Sequence, residues 1–161
     1  MVYSSSLRTI PGTAACYRGG QLWDNATEAG REIKAVLTKW VSFYKAHRAT
    51  LIQPVVHLRR PDMQGWDGWL HVNPFGFGAS GDTGSSVVEV GAALVFNPTE
   101  QTLEFVLVLP LYYCGLDVDA LVTVNGEAPV TMTLNRDYTV HLTMSMPADR
   151  GCEALSEWCS V

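Results

Sequence analysis

Acidic side chains are the residues of this sequence with the clearest catalytic potential, because a glycosidase holds two carboxyl groups on opposite sides of the bond it cleaves. Four acidic residues are candidates: Asp24, Asp62, Asp67 and Asp82. Three of them have a structural explanation that does not involve catalysis: Asp24 precedes a helix cap, Asp62 lies in a turn and Asp82 lies in the glycine-rich loop. Asp67 differs because it lies between Trp66 and Trp69, and indole rings stack well on sugar rings.

The Trp66-Asp67-x-Trp69 segment predicts a strand, and this limits how the three residues act together. Successive side chains of a strand alternate between its faces, so two tryptophans three positions apart lie on opposite faces. At most one of them shares the surroundings of Asp67. Core packing is the default for both indoles, while a substrate-binding role for Trp66, Asp67 and Trp69 stays open as a hypothesis.

The remaining reactive side chains form no recognisable catalytic or metal-binding pattern. The four histidines, His47, His57, His71 and His141, are scattered, so no metal site and no cofactor are predicted. The cysteines have no Cys-x-x-Cys spacing, and we expect packed thiols at Cys16 and Cys114. Cys152 and Cys159 could close a small disulfide only in an oxidising compartment, so a reduced tail is expected.

Composition excludes several classes of protein. With 161 residues and a formal net charge of −5, the chain has the size of one domain and lacks the basic surface that nucleic-acid binding requires. No apolar run reaches the length of a membrane-spanning helix, so no membrane partner is expected. The residues after Met1 do not resemble a signal peptide, which predicts a cytoplasmic location unless the chain is a fragment of a secreted protein.

The charged fraction is 17%, against roughly 25% in an average domain, which suggests that part of the surface is covered by a partner. The Arg59-Arg60 pair at a proline turn is interpreted as a domain-docking pair.

One amphipathic helix is predicted, starting after an N-cap at Asn25 with Glu28 three residues on. Apolar residues then recur at spacings of three and four. They are Ile33, Val36, Leu37, Trp40, Phe43, Tyr44 and His47. Helix 28–48 therefore has one apolar face that a neighbouring domain or protein partner is expected to cover.

From Gln53 the pattern changes to short β-rich runs with turns between them. The predicted strands are 54–59, 66–72, 87–96, 103–109, 121–124, 130–134 and 138–146. Asn125-Gly126 is a strong hairpin signal, because both residues tolerate positive φ. The glycine-rich segment 75–86 predicts a flexible loop.

The fold class is therefore mainly β: an antiparallel β-sandwich of about six to seven strands preceded by one amphipathic α-helix. Three parts are expected, namely an N-terminal loop and helix at 1–52, the β-sandwich at 53–147 and an irregular C-terminal tail at 148–161.

Seven short motifs occur in an order that resembles a known family. They are Cys16-Tyr17-Arg18-Gly19, Leu22-Trp23-Asp24, the helix segment 39–45, His57-Leu58-Arg59-Arg60-Pro61-Asp62, Leu70-His71-Val72-Asn73-Pro74, Val95-Phe96-Asn97-Pro98-Thr99 and Leu109-Pro110-Leu111-Tyr112-Tyr113. This succession resembles the carboxyl-terminal region of large, mostly bacterial glycoside-hydrolase proteins of the α-galactosidase-like type, over roughly residues 14 to 146. In that family a catalytic α/β barrel precedes an all-β domain.

The resemblance implies that residues 14 to about 50 correspond to the last strand-loop and helix of the barrel. It places the family's catalytic carboxylates upstream, so no catalytic residue is carried over to this chain. Arg18 and Asp24 would then lie on the last barrel loop and line the substrate end. The long glycine-rich segment and the sequence after Pro147 depart from the family pattern, which puts the final strand of the sandwich in doubt.

Three functions follow as hypotheses. The first is a non-catalytic β-sandwich portion of a glycoside-hydrolase-like protein that braces a catalytic barrel and contacts carbohydrate. The second is a free-standing β-sandwich module that binds carbohydrate or protein through Trp66, Trp69 or the aromatic residues of the Phe75 loop. The third is a small glycosidase that uses Asp67 with a second carboxylate.

Overall fold

A computed structural model describes residues 27–60, 62, 64–76, 89–148 and 157–161. These residues form one helix followed by eight strands: α1 (Glu28–Leu51), β1 (Val55–Arg59), β2 (Asp67–Val72), β3 (Gly91–Phe96), β4 (Leu103–Pro110), β5 (Asp119–Val124), β6 (Val130–Thr133), β7 (Thr139–Met146) and β8 (Glu157–Ser160). A short 3₁₀ turn, Leu111–Cys114, follows β4. The predicted fold class, mainly β with antiparallel sheets after one helix, is confirmed.

Helix α1 begins at Glu28, the first residue of the predicted helix 28–48, but its N-cap is not the predicted residue. Thr27 is the N-cap, and its hydroxyl oxygen accepts a hydrogen bond from the backbone N–H of Gly30 at 3.1 Å. The predicted cap, Asn25, lies outside the described residues and two positions before the observed one. The side chains of threonine and asparagine both accept a hydrogen bond from a backbone N–H in the first turn of a helix, so the presence of a capping residue alone did not discriminate between the two positions.

The larger sheet has six strands in the order β1-β2-β3-β8-β5-β6, and every described pairing in it is antiparallel. Strand β8 lies between β3 and β5, and it pairs Ala93 with Cys159 and Val124 with Cys159. The irregular tail predicted for 148–161 is therefore wrong for Glu157–Ser160. Four residues are too few to show an alternating pattern, and their position depends on ladder groups of two strands distant in sequence.

The smaller sheet consists of β4 and β7, which pair along eight residues each. Its inner face packs on the larger sheet to form the main core, as expected for a sandwich. Fully buried members of this core come from both sheets and include Leu70, Ala93 and Val95 from the larger sheet with Leu107, Leu109 and Met146 from the smaller one.

Helix α1 packs on the opposite, outer face of the larger sheet, which gives three layers at this end of the molecule. Leu51 at the end of the helix forms a second buried cluster with Ala92 and Leu94 of β3. Because Ala93 and Val95 face the other way into the main core, β3 is covered on both faces. This explains why Gly91–Val95 are all buried.

The hairpin between β5 and β6 follows the sequence prediction. Asn125 and Gly126 have φ values of 50° and 77°, and the N–H of Glu127 donates to the carbonyl of Val124 at 2.8 Å. Both turn residues thus adopt the left-handed conformation that suits a tight hairpin.

Candidate functional site

The two tryptophans of the β2 region lie on different faces of the larger sheet, as the sequence spacing predicts. Trp66 stacks on Phe105 of β4, with ring centroids 4.7 Å apart and an interplanar angle of 11°, and so belongs to the main core. Trp69 contacts Phe96 at 5.0 Å and belongs to the cluster beneath α1. The two indoles therefore do not form one platform.

Asp67 lies on the same face of β2 as Trp69, since the two are separated by one residue. Asp67 is opposite Phe96 of β3 in the strand register, and it is only half-buried. Trp69 is already engaged, because its indole N–H donates to Nε2 of His71 at 3.0 Å. The Asp67-Trp69 pair thus stands at the margin of the helix–sheet interface, and Trp69 has a packing role there.

His71 is held as a neutral imidazole in this interface. Its Nδ1 lies 3.4 Å from the carbonyl oxygen of Gln53, which assigns the ring proton to Nδ1 and leaves Nε2 as the acceptor for Trp69. Burial lowers the pKa of His71 below its ordinary value, and the hydrogen bond to Gln53 opposes this only partly. The two hydrogen bonds fix the tautomer of His71, and the bond at Nε2 also orients the Trp69 ring.

A buried polar cluster joins the end of α1 to the larger sheet, and the sequence analysis did not find it. Nδ1 of His47 lies 3.1 Å from both carboxylate oxygens of Glu89, and the two residues are only 6% and 4% exposed. The backbone carbonyl of Glu89 accepts hydrogen bonds from the Thr50 hydroxyl at 3.2 Å and from the Asn73 amide at 3.1 Å. Buried acceptors require donors, and here His47 serves the carboxylate of Glu89 while Thr50 and Asn73 serve its backbone carbonyl.

The only sequence signal for this cluster is His47 itself, a polar residue on the apolar stripe of the helix. Its partner Glu89 lies 42 residues away and just before β3, within the range predicted as a strand that begins at residue 87. No local pattern links the two positions. The hydrogen bonds of this cluster attach the helix to the larger sheet. The Phe43 ring lies beside the cluster, with its centroid 4.4 Å from that of the His47 ring.

Cys114 is not suited to act as a nucleophile. It is 1% exposed, and burial raises the pKa of its thiol to about 12, so that the reactive thiolate is not formed near neutral pH. A Cβ atom added at Gly91 would lie 2.8 Å from the Cys114 sulfur, which shows how closely β3 approaches it. The expectation of a packed thiol is confirmed for this residue.

Arg59, the first residue of the predicted docking pair, is used within its own turn. Its guanidinium donates to both carboxylate oxygens of Asp62 at 3.0 Å and to the Trp66 carbonyl at 2.6 Å. The backbone N–H of Gln64, followed by the charge of Arg59, lowers the pKa of the Asp62 carboxyl. Arg59 and Asp62 therefore close the β1–β2 connection, while Arg60 remains exposed.

Three tyrosines meet at the end of the smaller sheet. Tyr112 and Tyr113 of the 3₁₀ turn are 63% and 57% exposed, and the Tyr112 ring contacts those of Tyr113 and Tyr138 edge-on at 5.4 Å each. Tyr138 has a φ of 60°, an unusual value for a bulky side chain. Its backbone N–H donates to Asn135 and its carbonyl accepts from Leu111, both at 2.9 Å, which holds this conformation.

Two of the predicted site residues, Arg18 and Asp24, lie outside the described residues, as do the glycine-rich positions 77–86 and Cys152. Within the part of the chain that the structure describes, no group of three or more His, Cys, Asp or Glu side chains is arranged to hold a metal ion. The single described helix is not apolar enough over its length to cross a membrane.

Comparison with known proteins gives one structural similarity. No family model and no curated protein matches the chain. A crystal structure of an AmyP variant in complex with maltotriose aligns with 86% of this chain at 12% sequence identity and a TM-score of 0.44. The chain spans about a fifth of that protein's length, since 22% of it is covered. A similarity of this size defines neither a shared fold nor a function.

Proposed function

We propose that this chain is the carboxyl-terminal β-sandwich portion of a glycoside-hydrolase-like protein and that it braces a catalytic barrel without performing hydrolysis itself. The ordered succession of family-like motifs supports the family, and the attachment of α1 supports the bracing role. In the family that the sequence resembles, this helix belongs to the barrel. A β-sandwich that packs against a helix of the barrel would hold the sandwich and the barrel in a fixed relative position.

The attachment of α1 is the observation that carries the proposal. Ala49, Thr50 and Leu51 are each 1% exposed, and the His47–Glu89 pair is buried beside them. Earlier in the helix, Val41 is 48% exposed and Trp40 is half-buried. The last turns thus belong to the sandwich, whereas the preceding turns retain apolar surface for a neighbouring domain.

The test has two parts, one genetic and one enzymatic. The coding sequence upstream of Met1 is expected to encode the strands and helices of an α/β barrel, and a promoter in that place would contradict the proposal. The purified chain is expected to leave a panel of aryl α- and β-glycosides uncleaved. Turnover that Asp67→Asn abolishes, and that Asp62→Asn does not, would replace bracing with the small-glycosidase hypothesis.

A second candidate function, a carbohydrate-binding module, is favoured by the exposure of Tyr112 and Tyr113. Aromatic faces of this kind stack on sugar rings, and the engaged indoles of Trp66 and Trp69 are poorer candidates for that contact. Free sugars that bind the folded chain would raise its melting temperature by mass action. This function requires that Tyr112→Ala removes the rise and that Leu121→Ala, a change at an exposed apolar residue of β5 on the larger sheet, preserves it.

A further inference from the structure

The inner face of the larger sheet is not completely covered at its β6 end. Val130 of β6 lies directly opposite Val122 of β5, so both side chains are on the inner face of the sheet. Val122 is 2% exposed within the main core, whereas Val130 is 59% exposed. The smaller sheet therefore leaves the inner face of β6 open at Val130, whereas Met132, on the same face, is partly buried against the main core.

A pocket of about 190 Å³ occupies this open area. Its walls are the side of β7 at Leu142 and the inner face of the β5–β6 hairpin, and it is lined by Val122, Val124, Glu127, Ala128, Val130, Met132 and Leu142. Six of these seven residues are apolar, and Glu127 supplies the one negative charge. The pocket thus suits a large apolar side chain with a basic residue beside it.

The strand that borders the pocket is β7, and the edge of β7 that faces away from β4 pairs with no other strand among the residues that the structure describes. Within the described residues β7 pairs with β4 alone. Its segment Thr139–Met146 contains no Lys, Arg, Asp, Glu, Gly or Pro, the residues that commonly block the edge of a sheet. The first residue of this edge is already engaged, since the Thr139 N–H donates to the Asp137 carboxylate at 3.3 Å and the Thr139 carbonyl accepts from the Asn135 N–H at 2.9 Å. The rest of the edge, from Val140 to Met146, can accept the backbone of another extended segment.

A second copy of the chain does not fit this place through its own β7. The inner residues of β7, among them Met144 and Met146, are already buried against their own larger sheet. If the β7 strands of two copies paired, the two larger sheets would also be brought side by side. Strand β6 of the first copy would then clash with the β5–β6 hairpin of the second copy, which already lies beneath the second copy's β7. The space therefore requires an extended segment that is not itself covered by a sheet.

The geometry points to the gap between β6 and β7 as a binding site for an extended segment of a partner polypeptide. The segment adds a third strand to the smaller sheet by pairing with β7, places a large apolar side chain between Val130 and Leu142, and carries Lys or Arg near Glu127. This inference is independent of the bracing role of α1, which lies on the outer face of the larger sheet.

The test uses the full chain and a synthetic peptide, acetyl-Lys-Thr-Leu-Thr-Leu-Thr-Lys-amide, which combines alternating apolar residues with basic ends. Isothermal titration is expected to show saturable one-to-one binding. A peptide with proline in place of the central threonine lacks a backbone donor and is expected not to bind. A peptide with glutamate in place of both lysines is expected to bind more weakly, because Glu127 repels it.

Two matched variants of the chain locate the binding. Val130→Lys places a charge on the open inner face and is expected to weaken peptide binding by about tenfold or more, because that charge would have to be buried. Leu121→Lys, at an equally exposed residue (57%) on the outer face of the neighbouring strand, is expected to leave binding unchanged. Both sites are exposed in the folded chain, so neither variant should prevent folding.

Three results would overturn the inference: no binding of the basic peptide, equal binding to both lysine variants, or equal binding of the proline peptide. A dimer in sedimentation that Val130→Lys dissociates would assign the surface to a second copy and would also overturn it. None of these results affects the bracing proposal, which is tested on other residues and by other measurements.

Discussion

The two ends of the larger sheet differ in how they are covered. At the end formed by β1, β2 and β3, strand β3 has α1 on one face and the smaller sheet on the other, and its residues Leu94 and Val95 are 1% and 0% exposed. At the β6 end the strand has no buried residue, and Val130 is 59% exposed although it faces inward. One end of the sheet, the closed end, is thus covered on both faces, whereas the other end, the open end, keeps exposed apolar surface. A change at the exposed end is therefore expected to alter the stability of the folded chain very little.

Loss of a large side chain at the closed end should have the largest effect on stability. Leu94→Ala removes apolar contacts between β3 and α1 and is expected to lower the free energy of unfolding by about 2–5 kcal/mol. Urea denaturation followed by circular dichroism measures this change through the midpoint at constant slope. A loss below about 0.5 kcal/mol, the size typical of surface substitutions, would contradict the close packing of α1 on β3.

Loss of the buried His47–Glu89 pair, which attaches α1 to the larger sheet, should have the next largest effect on stability. Glu89→Ala leaves the buried His47 without its carboxylate partner, and we expect a loss of about 1–3 kcal/mol in the free energy of unfolding. Glu104→Ala, at an exposed position of β4, is the matched control and should change stability by no more than about 0.5 kcal/mol. Equal effects of the two substitutions in thermal unfolding would show that the buried pair does not stabilise the helix–sheet contact.

The neutral state of His71 predicts a pH dependence of stability at the closed end. Because its pKa is lowered in the folded chain, the unfolded chain binds a proton at pH values where the folded chain does not. Its contribution is therefore complete above the ordinary pKa of 6.5 and is lost as pH falls from there towards the folded pKa. The slope is at most about 1.4 kcal/mol per pH unit for one proton.

This dependence is measured by urea denaturation between pH 5 and pH 8 on the chain and on two variants. His71→Gln should flatten the profile below pH 6.5 relative to the unchanged chain. His57→Gln, at an exposed position of β1, should preserve it. A profile that His71→Gln does not alter would contradict the account of His71 as a buried neutral side chain.

The open end should give the smallest effect on stability. Val130→Ala removes a side chain that already faces solvent, and the free energy of unfolding is expected to change by no more than about 0.5 kcal/mol. A loss of 2 kcal/mol or more, the range of about 2–5 found for buried sites, would show that the inner face of β6 is covered in solution. The measurement is the same urea denaturation as for Leu94→Ala, so that the two ends are compared directly.

Sequence patterns predicted the elements more successfully than their arrangement. Strict alternation over residues 138–146 predicted β7, and Asn125-Gly126 predicted the β5–β6 turn, because both signals depend on neighbouring residues alone. Strand β8 was missed, since four residues show no period and its place depends on β3 and β5.

The candidate sites were harder to predict for a related reason. Alternation placed Trp66 and Trp69 on opposite faces, which the ring contacts confirm. Glu89 was missed because its partner His47 is 42 residues away. The exposure of Val130 depends on how far one sheet extends over another, and the pattern of a single strand contains no information on that distance.

Amide hydrogen exchange, followed by NMR on the free chain, tests the difference between the two ends most directly. The amides of β3 are expected to exchange only through global unfolding, with protection that falls as denaturant is added. The amides of β6, and those of β7 that point away from β4, are expected to exchange through local opening, with much lower protection that denaturant hardly changes. Equal protection of β3, β6 and both edges of β7 would contradict the account, because it would show that the inner face of β6 and the edge of β7 are already covered.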